Sequence, residues 1–279
     1  MSSPDNRAPG LAGSIGRRRL TRRQRARLTR ALVYTATLAA LVWLALIIDW
    51  GRLQDAFFQV DIFTDLFPEI VTRAARNTVV FTALSFSIAL VLGLSLALMR
   101  LSSIAFYRWF AIGYIELFRG MPALLTIIAV GFAIPIALDT RVPGIYGAGS
   151  LALGIVYSAY MAETIRAGIE AVPKGQTEAA RSLGMSHTRA LRSIVIPQAF
   201  RVIIPPLTNE LVALIKDTSL LYVLGTTVDT IEITKFSRDA VSRTFNITPL
   251  VAAALVYLAI TIPLTRLVGL LEARARRAR

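Results

Sequence analysis

Six apolar blocks, each long enough to cross a hydrocarbon layer as a helix, constrain this chain more than any other feature. They lie near 31–48, 77–99, 104–138 (one long, broken block), 148–170, 203–226 and 248–270. A bilayer core about 30 Å thick needs roughly 20 helical residues to cross it. Inside it every backbone N–H and C=O must be satisfied, which helices do within themselves and open strands do not. A water-soluble core for 279 residues has no use for six such blocks. Composition agrees, with 55% hydrophobic and 17% charged residues, where soluble domains run near half apolar and about a quarter charged. The expectation is an all-α membrane protein with about six transmembrane helices.

The formal net charge of +14 invites a nucleic-acid reading, and its location argues against one. Residues 1–30 hold Arg7, Arg17, Arg18, Arg19, Arg22, Arg23, Arg25, Arg27 and Arg30 against Asp5, which is +8. Toward the other end Arg266, Arg274, Arg276, Arg277 and Arg279 stand against Glu272, which is +4. The excess thus lies just outside the first and last blocks, where basic residues anchor cytoplasmic ends beside anionic lipid. With both ends inside, an even number of crossings is required, and six fits. The inside segments 100–108 and 171–202 then carry Arg100, Arg108, Lys174, Arg181, Arg189, Arg192 and Arg201. The outside segments are 49–76, 139–147 and 227–247. Trp50 and Trp109 fall near block ends, where an amphipathic ring is comfortable.

Residues 17–48 have a basic run and then an apolar stretch, as a leader peptide does. The stretch is longer than a leader core, no small-x-small site follows it, and Asp49, Trp50 and Arg52 come next. A retained first span is expected. The acids and aromatics of 49–76 suit either an amphipathic helix along the outer interface or a connector packed on the bundle. Cysteine is absent and His187 is the single histidine, which leaves no disulfide framework, thiolate metal site or histidine-based chemistry. Metal ligation is therefore not expected.

The stretch 171–202 is the most informative. Pro173 and Gly175 break the incoming helix. A short helix from Thr177 to Leu183 stops at Gly184, suited to a left-handed cap, and Ser186 is placed to cap a second helix near Thr188. Two short helices joined by a glycine make a compact knob able to transmit force. Glu178-Ala179-Ala180, then Gly184, then Ile194-Val195-Ile196-Pro197 resemble the EAA loop of binding-protein-dependent ABC importer permeases. The family usually has leucine at the position of Ile196. ELFRGMPALL at 116–125, with Met121 and Ala123 departing, YMAETIRAGIEAVPKGQ at 160–176 and IKDTSL at 215–220 resemble further blocks of its polar amino-acid branch.

The resemblance spans about residues 70–271 and implies a five-helix permease core plus one extra N-terminal helix. It implies that the loop couples the chain, through Glu178, Ala179, Ala180, Gly184, Ile194 and Pro197, to a separate ATPase. It further implies two cytoplasmic ATP-binding subunits, a second permease (identical or homologous), an extracytoplasmic substrate-binding protein and an amino-acid substrate. The expected layout is a basic tail (1–30), the extra helix (31–48), an extracytoplasmic connector (49–76), the core (77–271) and a second basic tail (272–279). Both tails would be cytoplasmic, in a bacterial inner membrane. No G-x-x-x-x-G-K-[ST] loop occurs in the chain, so ATP and Mg belong to the partner subunit and no cofactor is expected here.

Charges within the blocks mark the path, because ionisable groups at membrane depth face a cavity or a partner. Glu116 and Arg119 share a helix face, and Glu163, Arg166 and Glu170 form a stripe suited to mutual pairing. In 203–226, Glu210 lies above Asp217 and Asn209 above Lys216, with Thr218 and Ser219 next. Such polar groups cannot face lipid, so Asn209, Glu210, Lys216, Asp217 and Thr218, with Arg119, are expected on the substrate path, to which the resemblance implies that the 203–226 segment contributes. Pro205-Pro206 are expected to weaken the helix before this stripe. Two other classes compete. A secondary ion-coupled amino-acid transporter would use midplane charges and inverted repeats, of which none is evident here. A membrane enzyme would need a nucleophile with a base, or a metal cluster.

Overall fold

The structure, a computed structural model, describes residues 21–139, 146–225 and 227–277. The arginines expected to anchor residues 1–20, most of the 139–147 turn and the final residues of the basic tail lie outside the described residues. Every regular element among the described residues is helical, and the chain divides into a short first unit ending at Leu53 and a second from Gln54 onward.

In the first unit, α1 runs Arg22–Ile47, opened by a reciprocal cap. Thr21 Oγ1 accepts the Gln24 N–H at 3.3 Å and Gln24 Oε1 accepts the Thr21 N–H at 3.0 Å. The apolar block expected at 31–48 is therefore only the inner part of a helix that begins in the basic tail. It ends where the Trp50 ring N–H donates to the Ala45 carbonyl at 2.8 Å.

Helix α2 spans Trp50–Phe57; in the second unit α3 (Val60–Asp65) follows it, and a π-helical turn at Ile70–Ala75 leads straight into α4, Arg76–Arg100. The expected 77–99 span is thus part of a 31-residue rod, Ile70–Arg100. It starts early because Ile70 and Ala74, one turn apart, are buried against the segment after residue 233. Arg73 and Arg76 consequently stand on a helix, not in a connector. The long block is broken as expected: α5 (Ala105–Gly120) and α6 (Ala123–Ile128) meet at a 110° bend. Pro122 forces the preceding Met121 into an extended conformation there. A π-helical turn, Ala129–Ala133, and α7, Ile134–Leu138, complete it.

The axis of the bundle is α8, Gly147–Glu170. It runs parallel to α4, with Gly149 facing Phe81, Gly154 facing Ile88, and Gly93 of α4 set on Ser158 and Met161. A Cβ at Gly93 would lie 3.0 Å from the Ser158 carbonyl oxygen, so the approach is backbone to backbone, the mode small residues permit between helices in lipid. Among the described residues, four helices are long and apolar enough to cross a membrane, or five with the bent pair counted. Helix α8 is not among them. At 24 residues it is long enough, but its glycines, serines and tyrosines suit burial among helices better than contact with lipid.

The rest of the chain fastens the two ends. At one end α9 (Lys174–Ser182) and α10 (His187–Ala190) are held by the residues that flank them: Val172 before, and Val195 and Ala199 after, pack with Ala97 of α4 and Ile165 of α8. A π-helical turn, Leu191–Val195, joins α10 to α11, Ile196–Asp217. Pro205 and Pro206, expected to weaken this stretch, lie inside α11, which runs through them unbroken. Ile203 and Leu207, on either side of the pair, are both seated in the core and hold the helix. A 3₁₀ segment, Thr218–Leu224, follows.

At the other end α12 (Ile233–Thr244) and α13 (Thr248–Arg277) close over Leu66, Ile70, Ala74 and Ala75. The cap of α12 is a completely buried carboxylate, Glu232. It accepts the N–H groups of Thr234 and Lys235, each at 2.6 Å. Burial opposes those bonds and wins, pushing its pKa up to about 7.

Two expectations follow. Gly93→Val should cost about 1–3 kcal/mol by overpacking the α4–α8 seam, read as a lowered melting temperature in detergent. Gly113→Ala, with open space around it, should not lower it. Because the Glu232 pKa is raised on folding, its contribution to stability is full below about 4.5 and lost as pH rises through about 7. Melting temperature should therefore fall across that interval in the wild type, and Glu232→Gln should flatten that part of the profile.

Candidate functional site

Three helices deliver polar groups to one place inside the bundle. From α11, Asp217 Oδ2 accepts the Tyr157 hydroxyl of α8 at 2.9 Å. One turn along α8, the Tyr160 ring lies under the Arg119 guanidinium of α5, 5.6 Å from ring centroid to Cζ. Arg119 also approaches Glu163 Oε2 at 3.9 Å. Glu210 is half-buried, within electrostatic reach of both Arg119 and Asp217. The bend after Gly120 aims the end of α5 at α8, and the seven-residue spacing of Glu210 and Asp217 holds both on one side of α11.

Of the residues expected on the path, the structure brings together Arg119, Glu210 and Asp217. Asn209 and Lys216 lie on the exposed side of α11, with Lys216 beside Asp217. Thr218 is buried, and its hydroxyl donates to the Ile215 carbonyl at 2.6 Å, which ties off the end of α11. Glu116 is exposed and does not join the cluster. Tyr157 and Tyr160 were missed. Their only sequence signal was two phenols three apart in an apolar block.

Below the cluster, charges gather on Glu163. It receives Arg100 from α4, Arg166 at 3.0 Å from the next turn of α8, and Arg119. Arg166 pairs in addition with Glu170. The expected Glu163–Arg166–Glu170 stripe is present, and it also ties α4 and α5 to α8. Chemically the arrangement offers carboxylates, phenols and one guanidinium to a charged solute. Among the described residues no group of three or more potential metal ligands occurs.

The second functional element is the knob. Helix α9 ends in a left-handed cap: Gly184 has φ +83°. The Gly184 N–H donates to Arg181 O at 3.0 Å and the Met185 N–H to Ala180 O at 3.1 Å, the paired bonds of a Schellman cap. Ser186 caps α10 through the Arg189 N–H at 3.4 Å. Glu178 and Ala179 point outward, Ala180 is buried, Ile194 is half-buried and Pro197 exposed. At the tip, Leu183 is 85% exposed, a large apolar side chain held out on a rigid turn.

Comparison with known proteins gives this geometry a setting. Residues 89–277 match the family described as binding-protein-dependent transport system inner membrane component. The chain is 36% identical over 206 residues to the "Probable glutamine ABC transporter permease protein GlnM" of Bacillus subtilis (strain 168), covering 72% of this chain and 91% of that one. It is 37% identical over 209 residues to the arginine transport system permease protein ArgU of Corynebacterium glutamicum, covering 70% and 65%. Among solved structures it resembles a crystal structure of an amino acid ABC transporter with histidines, with TM-score 0.68 and 35% identity over 78% of this chain and all of that one.

Glu163 is the acid on which three helices converge. Glu163→Gln should cost about 2–4 kcal/mol, because it strands partly buried guanidiniums, and should lower the melting temperature of the purified chain. Adding Arg100→Gln should recover part of the loss, a coupling that a double-mutant cycle reads directly.

Proposed function

The chain belongs to the binding-protein-dependent transport system inner membrane components, a transport subunit and not an enzyme, and on that footing we propose that it forms the translocation path of an ATP-driven amino-acid importer. The observation that carries the coupling half of this reading is the knob. A loop with a fixed left-handed glycine and an apolar tip is built to be pushed, and the chain has no phosphate-binding loop of its own. Two cytoplasmic ATP-binding subunits, which hold ATP and Mg, would each grip one such knob through Glu178, Ala179, Ala180 and the Gly184 cap. Ile194 and Pro197 brace its second helix. A second permease, identical or homologous, would complete the pathway, and both termini would lie in the cytoplasm. An extracytoplasmic binding protein would deliver the amino acid.

Helix α11 connects the two halves. It starts at the knob and ends at Asp217, about 33 Å away at 1.5 Å per residue. Motion at one end moves the carboxylates at the other. Arg119, Glu210 and Asp217, with Tyr157 and Tyr160, then contact the amino acid in transit, and Asn209 and Lys216 face the second permease. A ligand shifts such an equilibrium only through unequal affinity for its two states, so the loaded delivery protein must favour the outward-facing one.

Gly184→Val places a β-branched residue at positive φ. It should leave the complex assembled yet lower ATP-driven uptake at least about tenfold, the effect of some 1.4 kcal/mol. Gly184→Asn, which tolerates this conformation, should restore most of it. Normal uptake by Gly184→Val at normal expression would refute the coupling role. Asp217→Asn should reduce uptake with assembly intact, whereas dissociation of the complex would make Asp217 an interface residue instead.

A further inference from the structure

At the end of the bundle opposite the knob, a cavity of about 390 Å³ is lined by Thr72, Arg73, Arg76, Asn77, Tyr146 and Asp229. That is within the range of small-molecule sites, about 300–1,000 Å³. The helix register places Arg73 and Asn77 on one face, four residues apart, at the head of the long rod.

The floor of this cavity is fixed. Asn77 is 2% exposed, and its Nδ2 donates to the carbonyls of Asp229 and Ile231, both at 2.9 Å. Those two bonds decide which way the amide points, so Oδ1 must be the acceptor facing Tyr146, and the Tyr146 hydroxyl donates to it at 2.8 Å. The Thr72 hydroxyl likewise donates to Pro68 O at 3.1 Å. Both hydroxyl protons are committed, so toward any ligand Thr72 and Tyr146 can only accept.

The rim is open and carries both signs of charge. Among the described residues the side chains of Arg73 and Arg76 make no ion pair or hydrogen bond, and neither does the Asp229 carboxylate. Five cations elsewhere in the bundle are occupied: Arg100, Arg119 and Arg166 pair with Glu163, Lys235 pairs with Asp239, and Arg238 stacks on Tyr222. The cavity thus presents two guanidiniums, suited to one carboxylate, and three acceptors (Asp229, Tyr146 Oη and Thr72 Oγ1), matching the three protons of one ammonium.

We propose that this cavity binds the backbone α-carboxylate and α-ammonium of a free amino acid, a waiting site at the mouth of the bundle distinct from the cluster around Asp217. An acidic side chain on a docked protein, or a lipid phosphate, would use the arginines but would be repelled by Asp229 and leave the acceptors unanswered. The site reads the groups all amino acids share, so it discriminates little between side chains. The inference rests on the amino-acid reading above.

The chain contains no cysteine, so Thr72→Cys provides a single thiol that keeps a weak acceptor in place. The complex with its ATP-binding subunits, in nanodiscs without delivery protein, is labelled with a membrane-impermeant maleimide. L-glutamine, L-arginine and L-glutamate should each slow labelling, about threefold at twice the Kd, the factor 1 + [L]/Kd. Glutaminamide, lacking the carboxylate, and N-acetyl-L-glutamine, lacking the ammonium, should not protect. Arg76→Gln or Asp229→Asn should raise the apparent Kd at least about tenfold, the weight of a charge-assisted hydrogen bond. Equilibrium binding of radiolabelled L-glutamine to the complex with an unmodified chain should lose one site per chain with Arg76→Gln, a measurement that needs no thiol. Protection by none of the amino acids, only on adding delivery protein, only in step with anionic lipid content, or equally by the two blocked glutamines would overturn the proposal. Uptake by proteoliposomes with delivery protein tests the underlying reading separately. Uptake without protection overturns this site alone, and failure to take up any amino acid overturns the transport reading.

Discussion

The close parallel packing of α4 on α8 is the interaction on which the rest of the structure depends. In lipid two apolar helices gain little by hiding hydrophobic surface from one another, so they associate by fit and by polar contacts. Here fit comes from Gly93 seated on Ser158 and Met161, and from Gly149 and Gly154 meeting Phe81 and Ile88. One register then fixes both ends of the molecule. At one end it aligns Ala97 with Ile165, the surface on which the knob sits. At the other it brings Asn77 beneath Tyr146, the latch that holds the segment from Asp229 to Ile231.

Between these ends the polar groups obey a single rule: charge at depth is kept where another helix answers it. Glu163 answers guanidiniums from α4, α5 and its own helix, and Tyr157 answers Asp217. That arrangement explains why α8 is less apolar than its neighbours. A helix surrounded by protein can afford phenols and hydroxyls that a lipid-facing one cannot. Helix α11 begins at the knob and ends at the polar cluster without a break, the continuity that the proposed coupling requires.

What the sequence made legible was local. The knob could be read because glycine at a left-handed position and serine before a helix act within a few residues, and both caps form as expected. The bend at Pro122 was legible for the same reason. The apolar blocks gave the helices but not their starts. Arg22 to Arg30 and Arg73 to Arg76 read as flanking charge, yet arginine is a good helix former and does not stop a helix at an interface. Pro205-Pro206 read as a weak point because the proline penalty is local, while the contacts of Ile203 and Leu207 that keep the helix continuous are tertiary. Within the site, Glu210, Asp217 and Arg119 were visible as charges where charge is costly. Tyr157, Tyr160 and the reach of Arg100 to Glu163 were not, because their partners, distant in sequence, meet them only through the packing of α8 against α11, α5 and α4.

The central claim is that the knob is the point where a separate motor grips this chain. Leu183→Cys, the sole thiol of the otherwise cysteine-free chain, can be crosslinked in native membranes and the chain then purified in mild detergent. The account predicts an ATP-binding subunit in stoichiometric amount, joined to the chain through residue 183. An intact, folded chain that brings no ATPase with it, or one whose ATPase crosslinks only at the opposite end, would contradict it.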